Sequence, residues 1–177
     1  YFLLPKLKDF AEQYPGIHLE LVGERKNADM LSGEADLALR MAKPNEQGLI
    51  ARKITDIHYS LYATQTYLNL PKSEQKFIGF DYSMTNLIPK KWLDEHLQNA
   101  EYSIKSNDIM TMYYAALRSW GIAILPDFLI ESSSMIKIAT ETHPSVPLFL
   151  VVHPDIRRAP KIRVLMDFII DLMPQTI

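Results

Sequence analysis

The stretch Ser106-Asn107-Asp108-Ile109-Met110-Thr111-Met112-Tyr113-Tyr114-Ala115-Ala116-Leu117-Arg118-Ser119-Trp120-Gly121-Ile122-Ala123-Ile124-Leu125-Pro126-Asp127 decides how the whole chain is read. Its first three residues carry side-chain acceptors of the kind that close the free N–H groups opening a helix. Ile109, Met112, Tyr113, Ala116, Leu117 and Trp120 then recur at helical spacing. Gly121 is read as the end of the helix, because glycine takes the left-handed conformation without steric cost. Ile122 to Leu125 is a short unbroken apolar run, the pattern of a strand covered on both faces, and Pro126-Asp127 stops it. A capped helix that feeds directly into a buried parallel strand is half of an α/β unit. The start of such a helix is also a place where a small polar or anionic molecule can be held.

On the N-terminal side, Leu3, Leu4, Leu7, Phe10, Ala11 and Tyr14 repeat at helical spacing, with Pro5 in the first turn. Pro15-Gly16 breaks that helix. Ile17, Leu19 and Leu21 alternate with His18 and Glu20, so a strand is expected over Ile17–Val22. A short helix is expected over Asn27–Ser32 with Gly33 as its cap, then a buried strand over Asp36–Met41 and a loop over Ala42–Gly48. Leu49–Ile54, Tyr59–Ala63, Phe77–Phe80 and Tyr102–Lys105 read as strands. Thr66–Leu70 and Pro89–Leu97 read as helical, the latter with Trp92, Leu93 and Leu97 on one side. Beyond the central stretch come a short helix over Pro126–Glu131, strands over Met135–Ala139 and Val146–Val152, and a final amphipathic helix from Pro160. Ile162, Leu165, Met166, Ile169 and Met173 mark the apolar side of that helix. Strands alternating with helices predict parallel sheet and an α/β class.

Composition narrows the function. A chain of 177 residues makes one domain or two small lobes. Its apolar share of 47% and charged share of 23% are those of ordinary globular proteins. A net charge of −2 gives this chain no electrostatic grip on nucleic acid. Without cysteine there is neither disulfide nor thiolate chemistry. No apolar run is long enough to cross a membrane, and the N-terminus has no secretion-signal pattern. The five histidines, at 18, 58, 96, 143 and 153, show no metal-ligand spacing. No Gly-x-Ser-x-Gly elbow or phosphate-cradling loop is present. The carboxylates Asp9, Glu12, Asp94 and Glu95 fall on apparent helix surfaces. These residues leave an enzymatic reading nothing to hold on to, and neither a cofactor nor an enzymatic activity is expected.

Candidate binding residues follow from strand and helix ends. Ser106, Asn107 and Asp108 serve as helix caps whatever else they do. A ligand at the same end would meet the positive pole of the helix dipole, although the charge of Asp108 disfavours an anion beside it. Arg40, which ends its strand with Met41 next, has a planar fork suited to a carboxylate. Phe80 and Tyr82 follow another strand, with Tyr82 as a candidate wall. Pro126 is a candidate floor.

These residues carry a family resemblance. "SND" opening a helix that closes in "GIAILPDFLI" resembles the effector-binding domain of LysR-type transcriptional regulators. Leu3-Leu4-Pro5 with Phe10 and Tyr14 to Leu21, Gly33 to Arg40, and Leu49 to Ile54 with Leu61-Tyr62-Ala63 and Tyr67-Leu68 match it in family order. Arg157-Arg158-Ala159-Pro160-Lys161-Ile162-Arg163, opening the last helix, completes the match. The resemblance implies a two-lobed, type 2 periplasmic-binding-protein-like α/β fold. Residues 1–58 with 153–177 would form one lobe and 64–145 the other, joined by hinge strands 59–63 and 148–152. It implies a small polar effector, an organic acid by expectation, held between the lobes by Arg40, Met41, Phe80, Tyr82, Ser106, Asn107, Asp108 and Pro126. It further implies a homodimer or higher homo-oligomer, the first lobe beside the mate's second, with Ile17–Val22 expected at a sheet edge. DNA would be bound only through an upstream helix-turn-helix domain, which together with the first strand of the effector domain is missing here, and the protein would be cytoplasmic. The other classes compatible with such a fold are a transporter's solute-binding protein and an enzyme.

Overall fold

The computed structural model describes residues 2–23, 29–131 and 133–173. Its first elements are helix α1 (Leu3–Gln13), strand β1 (Leu37–Arg40), the long strand β2 (Ile50–Thr64), helix α2 (Gln65–Leu68), strand β3 (Phe77–Phe80) and helix α3 (Ile88–His96). Strand β4 (Tyr102–Ser106), helix α4 (Ile109–Leu117), strands β5 (Ile122–Pro126), β6 (Met135–Ile138) and β7 (Ser145–Val152), and helix α5 (Pro160–Leu172) follow. The fold is mixed α/β. The chain divides into two compact units, Tyr1–Asp56 with Pro147–Ile177, and Ile57–Val146. It passes between them inside β2 and inside β7.

In the first unit, α1 buries Leu7 and Phe10 and keeps Lys6, Lys8 and Glu12 out of the core, as its spacing predicts. The Phe10 ring lies 4.9 Å from that of Tyr14 and 5.0 Å from that of Phe168 on α5, which also buries Ile169. Strand β1 pairs antiparallel with β7, Leu37 opposite Val152 and Arg40 opposite Phe149. Leu37, Ala38 and Leu39 are only half-buried, so the expectation of a fully buried strand is corrected.

Two further expectations fail in this unit. Residues 17–23 join no ladder. Ile17 and Leu19 are half-buried while Leu21 and Val22 are exposed, so the alternation is present but no strand forms. Alternation selects a face; a strand also needs a hydrogen-bonding neighbour. The helix expected over Asn27–Ser32 falls partly outside the described residues. From Met30 to Gly33 the chain is a turn. Leu31 and Ser32 donate their N–H groups to Asp29 Oδ1 at 3.0 and 3.2 Å, and Gly33 closes the turn at φ +79°. An Asp side chain that satisfies the backbone locally competes with helix in this way.

In the second unit, β3 runs parallel to both β4 and β5, and β2 runs antiparallel to β5 and β6. The sheet is therefore mixed rather than parallel throughout. The strands expected over Leu49–Ile54 and Tyr59–Ala63 are parts of one continuous strand, β2, which begins at Ile50. Every residue of β5 is buried, as its apolar run predicts. Pro126 closes that strand, and a 3₁₀ turn, Asp127–Leu129, stands where a short helix was expected.

Helix α4 ends four residues before Gly121. Ser119 holds the left-handed conformation at φ 58°. Ser119 N–H donates to the Ala116 carbonyl at 2.9 Å and Trp120 N–H to the Ala115 carbonyl at 3.0 Å. That pair of bonds is a Schellman closure with Ser119, not Gly121, in the left-handed place. The hydroxyls of Ser119 and Thr64 lie 2.6 Å apart and hold it. Gly121 is needed for a different reason: a Cβ there would sit 2.9 Å from Ile78 Cγ1 and 3.1 Å from the Lys76 carbonyl oxygen. Trp120, read as the last core position of the helix, is consequently 54% exposed.

Candidate functional site

Strands β5, β3 and β4 lie side by side in that order and run in the same direction. Pro126, Phe80 and Ser106 are their last residues, so three sequence-predicted positions stand at the same end of a parallel group. Phe80 pairs with Ser106, and Asp81 N–H donates to the Ser106 carbonyl at 3.1 Å. The carboxyl ends of parallel strands are where open α/β sheets hold ligands, because the following loops and helix starts converge there.

Helix α4 begins at this end. Ser106 Oγ accepts from Asp108 N–H at 3.1 Å. Asp108 is the N-cap: its carboxylate accepts from Met110 N–H at 3.4 Å, Thr111 N–H at 2.8 Å and the Thr111 hydroxyl at 2.6 Å. The Thr111 hydroxyl first, and then the backbone donors, hold the Asp108 carboxyl below its ordinary value. Of the three residues expected to cap the helix, Asp108 is the N-cap, Ser106 accepts the N–H of that cap residue, and Asn107 is half-buried between them. The helix start already holds an anion of its own. An incoming group meets the acceptor oxygens of Asp108 there as well as the helix dipole.

The apolar candidates separate. Phe80 and Pro126 are buried and act as support under the strand ends. Tyr82 is 90% exposed. It opens a 3₁₀ turn capped by Asp81, whose Oδ1 accepts from Ser83 N–H at 2.8 Å and the Ser83 hydroxyl at 2.7 Å. Beside Pro126 lies a network the sequence reading did not find. The Tyr62 hydroxyl donates to Asp127 Oδ1 at 2.9 Å and Lys137 Nζ to Asp127 Oδ2 at 2.8 Å. Tyr62 pairs with Lys137 across β2 and β6, so the three groups come together only through sheet register. A groove of about 550 Å³ runs along α4, lined in part by Ile104, Met110, Thr111, Tyr114 and Trp120.

Arg40 and Met41 belong to the other unit. The Arg40 side chain is buried, 4% exposed, and its Nη1 donates to Glu46 Oε1 at 2.7 Å. The Glu46 side chain is 40% exposed. Arg40 holds the Glu46 carboxyl below its ordinary value, chiefly through that hydrogen bond. Glu46 was also missed: six residues on, in a loop with Pro44 and Gly48, it has no periodic relation to Arg40. Met41 is half exposed. Among the described residues no group of three or more His, Asp or Glu is placed to hold a metal, and no helix is long and apolar enough to cross a membrane.

The strand ends and the Asp108 cap offer a set of donors and acceptors at one end of a parallel group, the equipment of a small-molecule binding domain. Comparison with known proteins gives that class its family. Residues 1–174 match the model of the LysR substrate binding domain, and the chain belongs to that family. It is 28% identical over 176 residues to an uncharacterized HTH-type transcriptional regulator of Haemophilus influenzae, covering 90% of this chain and 60% of the relative. To the HTH-type transcriptional regulator CrgA of Neisseria meningitidis serogroup C it is 26% identical, covering 97% of this chain and 62% of the relative. The chain thus spans about three-fifths of the length of these relatives. The solved structure of Neisseria meningitidis CrgA superposes with a TM-score of 0.79 at 23% identity, covering 98% of this chain and 64% of that one. The AmpR effector binding domain from Citrobacter freundii superposes with a TM-score of 0.70 at 16% identity, covering 96% of this chain and 90% of that one. The fold is the type 2 periplasmic-binding-protein-like fold shared by these regulatory domains.

Proposed function

We propose that the chain is the effector-sensing part of a bacterial DNA-binding transcriptional regulator and has no enzymatic activity of its own. A small polar effector binds it and favours one arrangement of the protein over another; a ligand with equal affinity for both arrangements would change nothing. DNA is contacted through a separate helix-turn-helix domain, and the same reading puts the protein in the cytoplasm as a homodimer or higher homo-oligomer. The observation that carries the binding site is the grouping of Phe80, Ser106 and Pro126 at the carboxyl ends of neighbouring parallel strands, with the Asp108 cap beside them. In this proposal Ser106 and Asn107 contact polar atoms of the effector, and Asp108 accepts from its hydroxyl or amide donors. Tyr82 lies against its apolar part over the support of Phe80 and Pro126. Arg40, with Met41 beside it, takes a carboxylate, so an organic acid remains the expected class.

The reading is tested by a thermal-shift screen of small organic acids, followed by calorimetry on Ser106→Ala and Arg40→Ala. Each variant should weaken binding by about tenfold, the size expected for one hydrogen bond to a charged group. Folded variants that bind as tightly as the parent would move the site elsewhere. A transporter's solute-binding protein is the second reading. Family membership favours the regulator, since the curated relatives described above are HTH-type transcriptional regulators.

A further inference from the structure

We propose that Trp92, His96 and Thr142 form a hydrogen-bonded strap that ties α3 to the loop before β7 and carries movement of the Tyr82 turn to the point where β7 joins β2. This rests on the reading of Tyr82 as an effector contact and adds a regulatory step to it. The strap begins on a core residue. The Trp92 side chain is buried, and the His96 ring is stacked on it with centroids 4.5 Å apart. Trp92 Nε1–H donates to Thr142 Oγ1 at 3.0 Å. His96 Nδ1 lies 2.9 Å from the Trp92 carbonyl oxygen, and His96 Nε2 lies 3.2 Å from Thr142 Oγ1.

Each role is fixed by what the partner can do. A carbonyl only accepts, so His96 carries its proton on Nδ1, and the neutral ring offers Nε2 as an acceptor. An indole only donates, so the Thr142 oxygen accepts from Trp92, and its hydroxyl proton goes to His96 Nε2. The three bonds close a circuit between α3 and the loop. Both ends of it are anchored. On the α3 side, the N–H groups of Met84, Leu87 and Lys91 donate in turn to the carbonyls of Asp81, Met84 and Leu87. The 3₁₀ turn opened by Tyr82 therefore runs into the helix without a break in bonding. On the loop side, the Thr140 hydroxyl donates to the Thr142 carbonyl at 2.8 Å, and the Pro144 carbonyl accepts Tyr59 N–H at 3.0 Å. Ser145 then opens β7, which lies beside β2 in the sheet. These are the two strands through which the chain passes between its units. A contiguous set of bonds thus runs from the Tyr82 turn to the start of the β7–β2 pairing, the kind of network that couples one site to another.

Amide hydrogen exchange of isotope-labelled protein, followed by NMR with no effector present, tests the strap. The ring nitrogens of His96 should show the proton on Nδ1; a proton on Nε2 alone would break the circuit. Thr142→Val keeps the side-chain shape and removes both hydroxyl bonds. It should speed exchange of the Tyr59 amide about tenfold, the worth of one or two ordinary hydrogen bonds, while the Ala123 and Ile124 amides of β5 stay as in the parent. His96→Phe, which keeps a ring on Trp92 without the nitrogens, should do the same. Unchanged Tyr59 exchange in both variants, or equal acceleration in β5, would overturn the strap. Asp81→Ala removes the carboxylate that caps the Tyr82 turn. It should speed the Tyr59 amide several-fold in the parent and far less in Thr142→Val, because coupled residues are not additive. No effect in the parent, or equal effects in both backgrounds, would overturn the route from the turn. Effector binding is read separately by calorimetry on Tyr82→Ala. Weakened binding with failed exchange results keeps Tyr82 as a contact and removes the strap. Unchanged binding removes the contact, and the regulatory step with it, whatever the exchange shows.

Discussion

Phe80 and Ser106 pair across the parallel β3–β4 ladder, and the residue after Phe80 donates its N–H to the Ser106 carbonyl at 3.1 Å. Two loops therefore leave the sheet from one fixed point. The Ser106 hydroxyl accepts from Asp108 N–H in an exposed setting. Ser106→Ala should cost less than about 1 kcal/mol in chemical denaturation, the net worth of an ordinary hydrogen bond, while weakening effector binding about tenfold. A stability loss well above that with no change in affinity would make Ser106 a structural residue only.

Asp108 closes α4 through two backbone donors and the Thr111 hydroxyl. Asp108→Ala should destabilise the protein by about 1 kcal/mol, the usual cost of losing an N-cap. Its carboxyl is held below the ordinary value, so the cap is fully charged at neutral pH, and its contribution falls as acid protonates it. Denaturation of parent and variant at pH 7, 5 and 4 should show the gap between them constant in the first two and narrowing toward acid. A gap that widens toward acid would contradict the assignment.

The α/β class was legible because the apolar run Ile122–Leu125 and the capped helix before it are local signals, and the family motif lies on them. What was misread depended on partners distant in sequence. Gly121 looked like a helix cap; its actual constraint comes from Ile78 and the Lys76 carbonyl on the neighbouring strand edge. Gly121→Ala should cost about 1–3 kcal/mol by forcing a methyl against a backbone oxygen. Ser119 in the left-handed conformation is the real cap. Ser119→Val should destabilise by a similar amount, since a β-branched side chain resists that conformation. Ser119→Gly should be milder, because relief of the backbone offsets the lost contact with Thr64. Thermal denaturation of the three variants gives the order.

Burial pushes the Tyr59 phenol up to about 12. Burial first, and then the hydrogen bond to Asp127, raise Tyr62 as well. Both groups must be neutral in the fold, so their contribution is complete below pH 10 and is lost as pH rises through the raised values. Tyrosinate absorbance should show at least two phenols titrating late, coinciding with alkaline unfolding. Asp127→Asn should bring Tyr62 down while leaving Tyr59 in place; an unchanged late phase would place the Asp127 effect elsewhere.

The site was less legible than the fold. Ser106 to Asp108 could be read from capping chemistry, but Tyr82 was read as a wall only because it follows a strand. It opens a 3₁₀ turn that the Asp81 carboxylate caps by accepting from Ser83. At 90% exposure Tyr82 contributes almost nothing to the core. Tyr82→Ala should therefore leave stability within about 0.5 kcal/mol of the parent. If the ring covers the apolar part of the effector, the same change should weaken binding several-fold, and Tyr82→Phe should restore it, since area rather than the hydroxyl does the work. Calorimetric titration of the effector found by screening, with all three proteins side by side, distinguishes the cases. Equal affinity across them would remove Tyr82 from the site. Weakening in both variants would assign the contact to its hydroxyl instead of its ring.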